Sequence, residues 1–466
     1  MYRIHNSFAA SLSAMIVAAS AAHVSDVRAA TTLHVANCND SGPGSLRGVI
    51  AQAGSGDLID LTPAGCDRIE LQGQPIAVPQ NALRIEGPGR DLMTIDGNRR
   101  SSIFRHTGTK TLRIAGVSIV RGQHRADGNA LGGCIYSAGR VRLEWSYVHH
   151  CTAFNLGRAG PDFSSAQGGG IYALEGASVN HSWVFANEAI ALAVAEGGGI
   201  YGGGGGTTYL NYSRVMDNTV STTSSNISYG GGVLATNLRM YYSRVTDNYA
   251  GSTAATDFKG GTGGGVYVPG IGTILNSTIS GNIAERDAGG VGGYQITVWN
   301  STLSGNRAPR ATGVSGTELE IYFSTIAYND GFSSACAESA AVVQDYRIGT
   351  LTVFSSILAN NTCEGQPSYD LASETGLGSN GANIIMSSEL SLPADTIRTD
   401  PMLKPLAYNG GIGRTHALKF GSPAIDAGYN DYISPPRWDQ RGPGFPRPAG
   451  AAPDIGAFEY GAGARN

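Results

Sequence analysis

Apolar residues keep fixed offsets around eight serines in the middle of the chain: Ser146, Ser182, Ser213, Ser243, Ser277, Ser301, Ser324 and Ser355. Two positions after them stand Val148, Val184, Val215, Val245, Ile279, Leu303, Ile326 and Ile357. Three positions before them stand Leu143, Val179, Leu210, Met240, Ile274, Val298, Ile321 and Thr352. Five positions after come Cys151, Asn187, Asn218, Asn248, Asn282, Asn306, Asn329 and Asn360. The copies recur at intervals of roughly 20–40 residues, the scale of a stacked repeat. Side chains alternate across a strand, so the apolar columns predict two short strands that meet at a bend and face one core. The serine faces inward at that bend, where a small side chain fits. The asparagine column suits a turn, because Asn tolerates left-handed backbone and its amide can bond the next one above.

No single unit is long enough to bury its own apolar side, so each must lie on its neighbours. The expectation is an all-β protein: a single-stranded right-handed parallel β-helix of about eleven coils, the hand taken from the general preference of parallel connections. Unequal spacing favours this over helical or leucine-rich repeats, since a coil can lengthen an outer loop without disturbing its strands. Ahead of the repeat, Leu33-His34-Val35 reads as a strand. Ser45 then precedes Leu46, Val49, Ile50 and Ala53 on one helical face, with Pro43 near the helix start. This amphipathic helix would cover the open first coil, whose unpaired edge would otherwise invite aggregation. Ile59, Ile69, Ile76, Ile85, Ile95, Ile103 and Ile114 mark the first, more regular coils.

Composition agrees with this picture. Of 466 residues 67 are Gly, about twice the usual share of roughly 7%, as turn-dense β structure requires. Charged residues make up 15%, the net charge is -4, and no basic stripe marks a nucleic-acid ligand. Arg3 and His5 precede an apolar run from Phe8 to Ala22, and Val27-Arg28-Ala29 offers a small-residue cleavage site. Residues 1–29 therefore read as a secretory signal peptide, too short and too rich in Ser and Ala for a membrane anchor. No transmembrane segment is expected in the mature chain. Export to an oxidising compartment makes disulfides the default for Cys38, Cys66, Cys134, Cys151, Cys336 and Cys363. Of the fifteen connectivities, pairing of sequence-nearest cysteines is the expectation. The organisation expected is 1–29 signal peptide, 30–57 strand and helix cap, 58–400 β-helix and 401–466 C-terminal cap.

Three stretches resemble a known family. Asp40-Ser41-Gly42-Pro43-Gly44-Ser45-Leu46-Arg47, Met93-Thr94-Ile95-Asp96-Gly97 and the Gly-Gly-Gly-Ile-Tyr and Asn-Ser-Thr-Ile copies resemble bacterial exported β-helix proteins with polymorphic-outer-membrane-protein-like repeats. Gly421-Ser422-Pro423-Ala424-Ile425-Asp426-Ala427-Gly428, Asp439-Gln440-Arg441-Gly442 and Asp454-Ile455-Gly456-Ala457-Phe458-Glu459 are similar to the choice-of-anchor Q domain. The resemblance implies the pectate-lyase-like superfold and export, and implies no enzymatic activity. No sorting tail or autotransporter barrel follows in this sequence.

Candidate chemistry is sparse. Asp426, Asp439, Arg441 and Asp454 read as a buried ion-pair network fixing the C-terminal cap, with a metal or catalytic carboxylate cluster as the alternative. Held by Arg and backbone donors, these carboxylates would have depressed pKa values. Asp217 and Asp247, stacked beside Arg214 and Arg244, read as a surface ladder, and His149-His150 as a solvated pair. The Gly202–Gly206 run lacks the Lys of a phosphate loop and reads as a flexible turn. No catalytic residue, metal or cofactor is expected. Aromatic residues offer more: Trp145, His181, Tyr212, Tyr242, Phe323 and Phe354 stand one before the serines, and Tyr241, Trp299 and Tyr322 two before. On a rigid sheet such residues form a stripe that can stack on sugar rings or receive a partner, unless a loop covers it. Tyr212, Tyr242, Trp299 and Phe323 are the candidate binding face. The expected function is a monomeric, secreted or cell-surface, non-enzymatic protein that binds a polysaccharide or another cell-surface ligand. A polysaccharide lyase or glycoside hydrolase is the alternative. It would show as three or more carboxylates converging with a basic residue in a groove. A structural spacer would have every aromatic stripe covered.

Overall fold

The repeat folds as a coil whose equivalent residues lie in vertical files. A computed structural model of the chain describes residues 29–463 except 156, 158–164, 224–226, 254–259, 333–335, 337, 338, 346–348, 378–380 and 430–434. The expected signal peptide thus lies outside the described residues, apart from its last position. Among the described residues one sheet has 18 strands and a second has 12, flanked by smaller sheets of 6, 4 and 3. Within the coil the strands pair in parallel; the short hairpin of Thr362 and Cys363 with Pro367 and Gln366 is antiparallel. The protein is a parallel β-helix.

The 12-stranded sheet carries one unbroken inner file: Ile69, Ile95, Ile119, Val148, Val184, Val215, Val245, Ile279, Leu303, Ile326, Leu358 and Ile385. Every member is buried, and each such side chain is worth roughly 1.5–3 kcal/mol over its exposed state. The 18-stranded sheet supplies the facing file Ile85, Ile114, Leu143, Val179, Leu210, Met240, Ile274, Val298, Ile321 and Val353. The N-terminal end is closed by the helix Leu46–Gln52, capped by Ser45 and burying Leu46, Val49 and Ile50. Pro43 lies outside it. Disulfides join Cys38 to Cys66, Cys134 to Cys151 and Cys336 to Cys363, the nearest pairing.

The last copy of the repeat is one residue out of the expected register. Ser356, not Ser355, takes the anchor place: Ser324 donates its backbone N–H to the Ser356 hydroxyl at 3.0 Å, and Ile326 pairs with Leu358. Asn361 and Val353 therefore replace Asn360 and Thr352 in their columns. The serine hydroxyls have a task beyond small size. Each accepts the anchor N–H of the coil before it, from Ser146 onto Ser182 through Ser301 onto Ser324, at 3.0–3.2 Å.

The asparagines are buried and form a ladder. Asn187, Asn218, Asn248, Asn282, Asn306 and Asn329 each donate Nδ2–H to Oδ1 of the next, ending on Asn361, at 2.9–3.0 Å. Asn361 in turn donates to Asp370 Oδ1 at 2.7 Å. Left-handed backbone falls not on these asparagines but one residue earlier, at His150, Ala186, Asp217, Asp247, Tyr328 and Asn360. The ladder geometry holds the Asn in strand-compatible backbone, and the turn is made by its predecessor. Gly202–Gly206 also departs from expectation: it lies inside the strand Ile200–Asn211, as an irregularity between Gly202 and Thr207.

Candidate binding face

A second left-handed position precedes each anchor serine, at Trp145, His181, Tyr212, Tyr242, Asn276, Asn300, Phe323 and Ser355, with φ between 44° and 51°. This conformation costs an L-residue roughly 1–2 kcal/mol, and a bulky side chain there is unusual. The serine and strand ladders on either side impose it. The consequence is a corner from which each aromatic projects between the two large sheets. Along it Trp145 stacks on His181 at 4.2 Å, His181 on Tyr212 at 5.0 Å and Tyr212 on Tyr242 at 5.3 Å, with interplanar angles of 6–17°.

Beyond the corner, the outer face of the 12-stranded sheet divides in two. One outward file runs Tyr147, Trp183, Arg214, Arg244, then Thr278, Thr302, Thr325 and Ile357. The other runs His149, Phe185, Met216, Thr246, then Ser280, Ser304, Ala327 and Ala359. Over the small-residue half lies the C-terminal segment. Thr278 Oγ1 donates to Arg414 O at 2.9 Å, Thr302 Oγ1 to Gln440 Oε1 at 2.5 Å, and Ala457 N to Thr325 Oγ1 at 3.1 Å. Ser304 Oγ lies 2.8 Å from His416 Nε2. Ala327, Ile357, Ala359 and Ile384 form one apolar cluster with Leu403, Leu418, Ala424, Ile455 and Phe458.

This division separates the four residues expected as one binding face. Phe323 is fully buried, with the Arg447 guanidinium 5.5 Å from its ring centroid. Tyr242 is only 6% exposed. Gly442, at φ 93°, packs on its ring so closely that a β-carbon would fall 2.9 Å from Cε1. Trp299 is half-buried and belongs to a different file, beside Tyr322 and Phe354. The one-residue shift of the last copy puts Phe354 in that file also. Tyr212 is the most open of the four, at 36%. A single accessible face of these four does not form, because the C-terminal segment occupies the middle of it.

The open half is a mixed aromatic and cationic surface. Trp145 is 57% exposed and Tyr241 39%. Tyr147 lies against Trp183 at 5.1 Å, and Phe185 stacks on His149 at 4.5 Å. The Arg90 guanidinium sits 4.5 Å over Tyr147 and 5.5 Å over Trp183, and donates to His181 O at 2.8 Å. Arg214 stands 4.2 Å over Trp183. Sequence reasoning missed Arg90 and Tyr147; the doublet pattern Tyr147/Trp183 one place after the serines was the available signal. His149 is not a solvated turn residue. Burial, with the neighbouring His150 adding to it, lowers its pKa to about 4, so it is neutral near pH 7. Asp217 has its pKa raised by burial and by Asp247, as two stacked carboxylates require.

The cap carries its own charge network. Asp439 takes Arg441 Nε at 2.9 Å and Nη2 at 2.6 Å, with the guanidinium between the Phe445 and Phe458 rings at 4.0 and 3.9 Å. Asp454 Oδ1 accepts Asp426 N at 2.8 Å, and Asp426 Oδ1 accepts Ala452 N at 3.1 Å. Glu459 joins them through Arg447 Nε at 2.9 Å. The expected depressed pKa values do not hold throughout. Burial raises Asp454, and raises Glu459 to about 7 against the pull of Arg447. Desolvation here exceeds the help of the donors.

Elsewhere, a cleft of about 370 Å³ gathers Asp287, Asp345 and Glu374 with Arg286 and Arg310, beside Tyr229 and Tyr267. Arg310 bonds both Asp345 oxygens, at 2.7 and 2.9 Å, and Asp287 Oδ2 at 2.9 Å. Among the described residues no group of three or more His, Cys, Asp or Glu has an arrangement that could hold a metal ion, and no helix is long and apolar enough to cross a membrane.

Stacked, parallel sheets with shared inner files define the chain as a parallel β-helix protein. No family model matches it, and no curated protein does. Among solved structures, the crystal structure of pectate lyase Pel9A is similar to it, with 14% sequence identity, 92% of this chain and 97% of that chain covered, and a TM-score of 0.43.

Proposed function

We propose that this is an exported, non-enzymatic protein that binds carbohydrate through the open aromatic corner and the adjoining half-sheet. The observation that carries the reading is Trp145. It holds a left-handed backbone and, though stacked on His181, is 57% exposed, so it bears a conformational cost and leaves apolar surface in water. The coil imposes that backbone at every corner, so what singles out Trp145 is a large ring left open to solvent there. A file of flat rings on a rigid coil presents stacking faces at successive rungs, about 4.8 Å apart, which suits a chain of sugar rings. Three disulfides agree with an oxidising compartment. A glycan array tests the reading: wild-type signal should fall at least tenfold in Trp145→Ala and Trp183→Ala. Signal that survives both replacements removes it.

One observation favours a second reading, cleavage of an acidic polysaccharide: the three carboxylates and two arginines of the cleft around Arg310. It ranks lower because Arg310 already engages Asp287 and Asp345, leaving neither free to take a proton from a substrate. Incubation with acidic polysaccharides, followed by assay of reducing ends and unsaturated products, should give no turnover. Turnover lost in Asp345→Asn would reverse the ranking.

A further inference from the structure

The charges of the open half do not balance. Several arginines elsewhere on the coil and in the cap sit against carboxylates, while others, such as Arg105 over Tyr136 and Arg125 over Phe154, lie singly on rings. Asp96 takes Arg68 and Arg121, Arg113 lies between Glu86 and Glu144, Arg142 shares Glu144, and Arg310 holds Asp287 and Asp345. In the cap Arg441 pairs with Asp439, and Arg447 with Glu459. Arg90, Arg214, Arg244 and Arg414 differ from both sets in being grouped together. Among the described residues none of the four has an ion-pair partner, yet they are neighbours. Arg214 and Arg244 occupy adjacent rungs of one file, where like charges directly opposite are destabilising. Arg244 and Arg414 both lie against the Tyr408 ring, at 5.2 and 5.1 Å.

Arg244 is 6% exposed, bonds the Tyr408 hydroxyl through Nη1, and leaves Nη2 buried with no partner. A buried donor left without an acceptor is destabilising, more so when charged. Burial, then the proximity of Arg214 and Arg414, lowers the Arg244 pKa to about 10, and it stays charged at neutral pH. Arg214 is lowered likewise by burial and by Arg90. Asp217 and Asp247, the carboxylates of the same two coils, lie across the next turn and pair with neither arginine.

We infer that the row Arg90–Arg214–Arg244–Arg414 is an anion subsite, and that the glycan bound at the aromatic corner is an acidic one, carrying carboxylate or sulfate groups. This inference rests on the carbohydrate reading and adds its charge. Arg90 and Arg214 are half-buried guanidinium planes clamped on Tyr147 and Trp183. They meet an anionic group in a fixed orientation, as bidentate recognition needs. Arg244, buried on the next rung, adds its charge to the row without itself reaching solvent. The rings take the sugar faces and the row takes the charges.

The test compares polymers of one backbone with and without charge. Purified full-length protein is titrated calorimetrically with polygalacturonate and its fully methyl-esterified form, and with dextran sulfate and dextran. The charged member of at least one pair should bind about tenfold or more tightly, with affinity falling as salt rises. Whichever pair shows this names the group as carboxylate or sulfate. Arg214→Gln should reduce acidic-polymer affinity about tenfold with an unchanged melting temperature, and Arg214→Lys should lose less. Equal affinity for charged and neutral members, or full acidic affinity in Arg214→Gln, overturns the inference and leaves the carbohydrate reading standing. Failure of all four polymers to bind removes both.

Discussion

Two stretches of one sheet face, Tyr147 to Arg214 and Thr278 to Ile357, share a backbone and differ in what covers them. Their inner files are equally buried, their strands pair in the same register, and the same serine and asparagine ladders run behind both. Outward, the first presents Tyr, Trp and Arg; the second presents Thr, Ser and Ala beneath the C-terminal segment. The coil therefore sets position only. What each position becomes is decided by side-chain size on the outward files: small groups accept a second layer of chain, large ones leave a surface.

Removing the latch of that second layer should break the contrast most severely. Arg441→Ala leaves Asp439 buried without its counter-charge, a loss of about 3–5 kcal/mol. Hydrogen exchange should rise across Thr278–Thr325 and stay unchanged across Tyr147–Arg214. Equal loosening of both stretches would show that they are not independent.

The asparagine ladder sharpens the comparison at its ends. On the open side it begins at the backbone N–H of Cys151, bonded to Asn187 Oδ1; on the covered side it stops at Asp370, whose pKa burial raises to about 6 from 3.8. The folded protein thus holds this proton more tightly than the unfolded chain does. Its contribution to stability is greatest below about pH 4 and declines as pH rises to about 6, by up to about 3 kcal/mol at 1.36 per unit. Asp370→Asn should abolish that slope, so the wild-type advantage over the variant shrinks between pH 4 and 6. An advantage that grows with pH over that window contradicts the assignment.

The smallest effect has the opposite sign. Trp145→Asn places a residue tolerant of left-handed backbone at φ 49°, and exposed Trp145 loses little packing. Stability should rise by up to about 1 kcal/mol while glycan binding falls. A destabilised variant would mean that Trp145 serves the fold.

The inner files were legible because Val215, Val245 and Ile279 repeat with their flanking Ser and Asn, and stacking leaves such a pattern one solution. The last copy misled because Ser355 and Ser356 are adjacent, and only the hydrogen bond to Ser324 distinguishes them. Coverage was not legible at Tyr242 and Phe323. It depends on Gly442 and Arg447, far along the chain, and local sequence carries no record of that meeting. Thr278, Thr302 and Thr325 held the missed hint, a run of small residues where earlier copies have Tyr, Trp and Arg. The arginine row escaped notice for a related reason, since Arg90 and Arg414 belong to no repeat column.

The line of side-chain amides behind both stretches has a consequence for how such a chain can change length. From Asn187 to Asn329 each amide offers the next coil the same donor and takes the same acceptor, so excising a middle coil would join Asn187 to Asn248 with matching partners. Duplication closes equally well. Interior coils are interchangeable parts, whereas the one ending in Asp370 is a terminus that cannot be moved inward, because a carboxylate there would accept an amide's hydrogen on one side and have no hydrogen to give the next oxygen on the other.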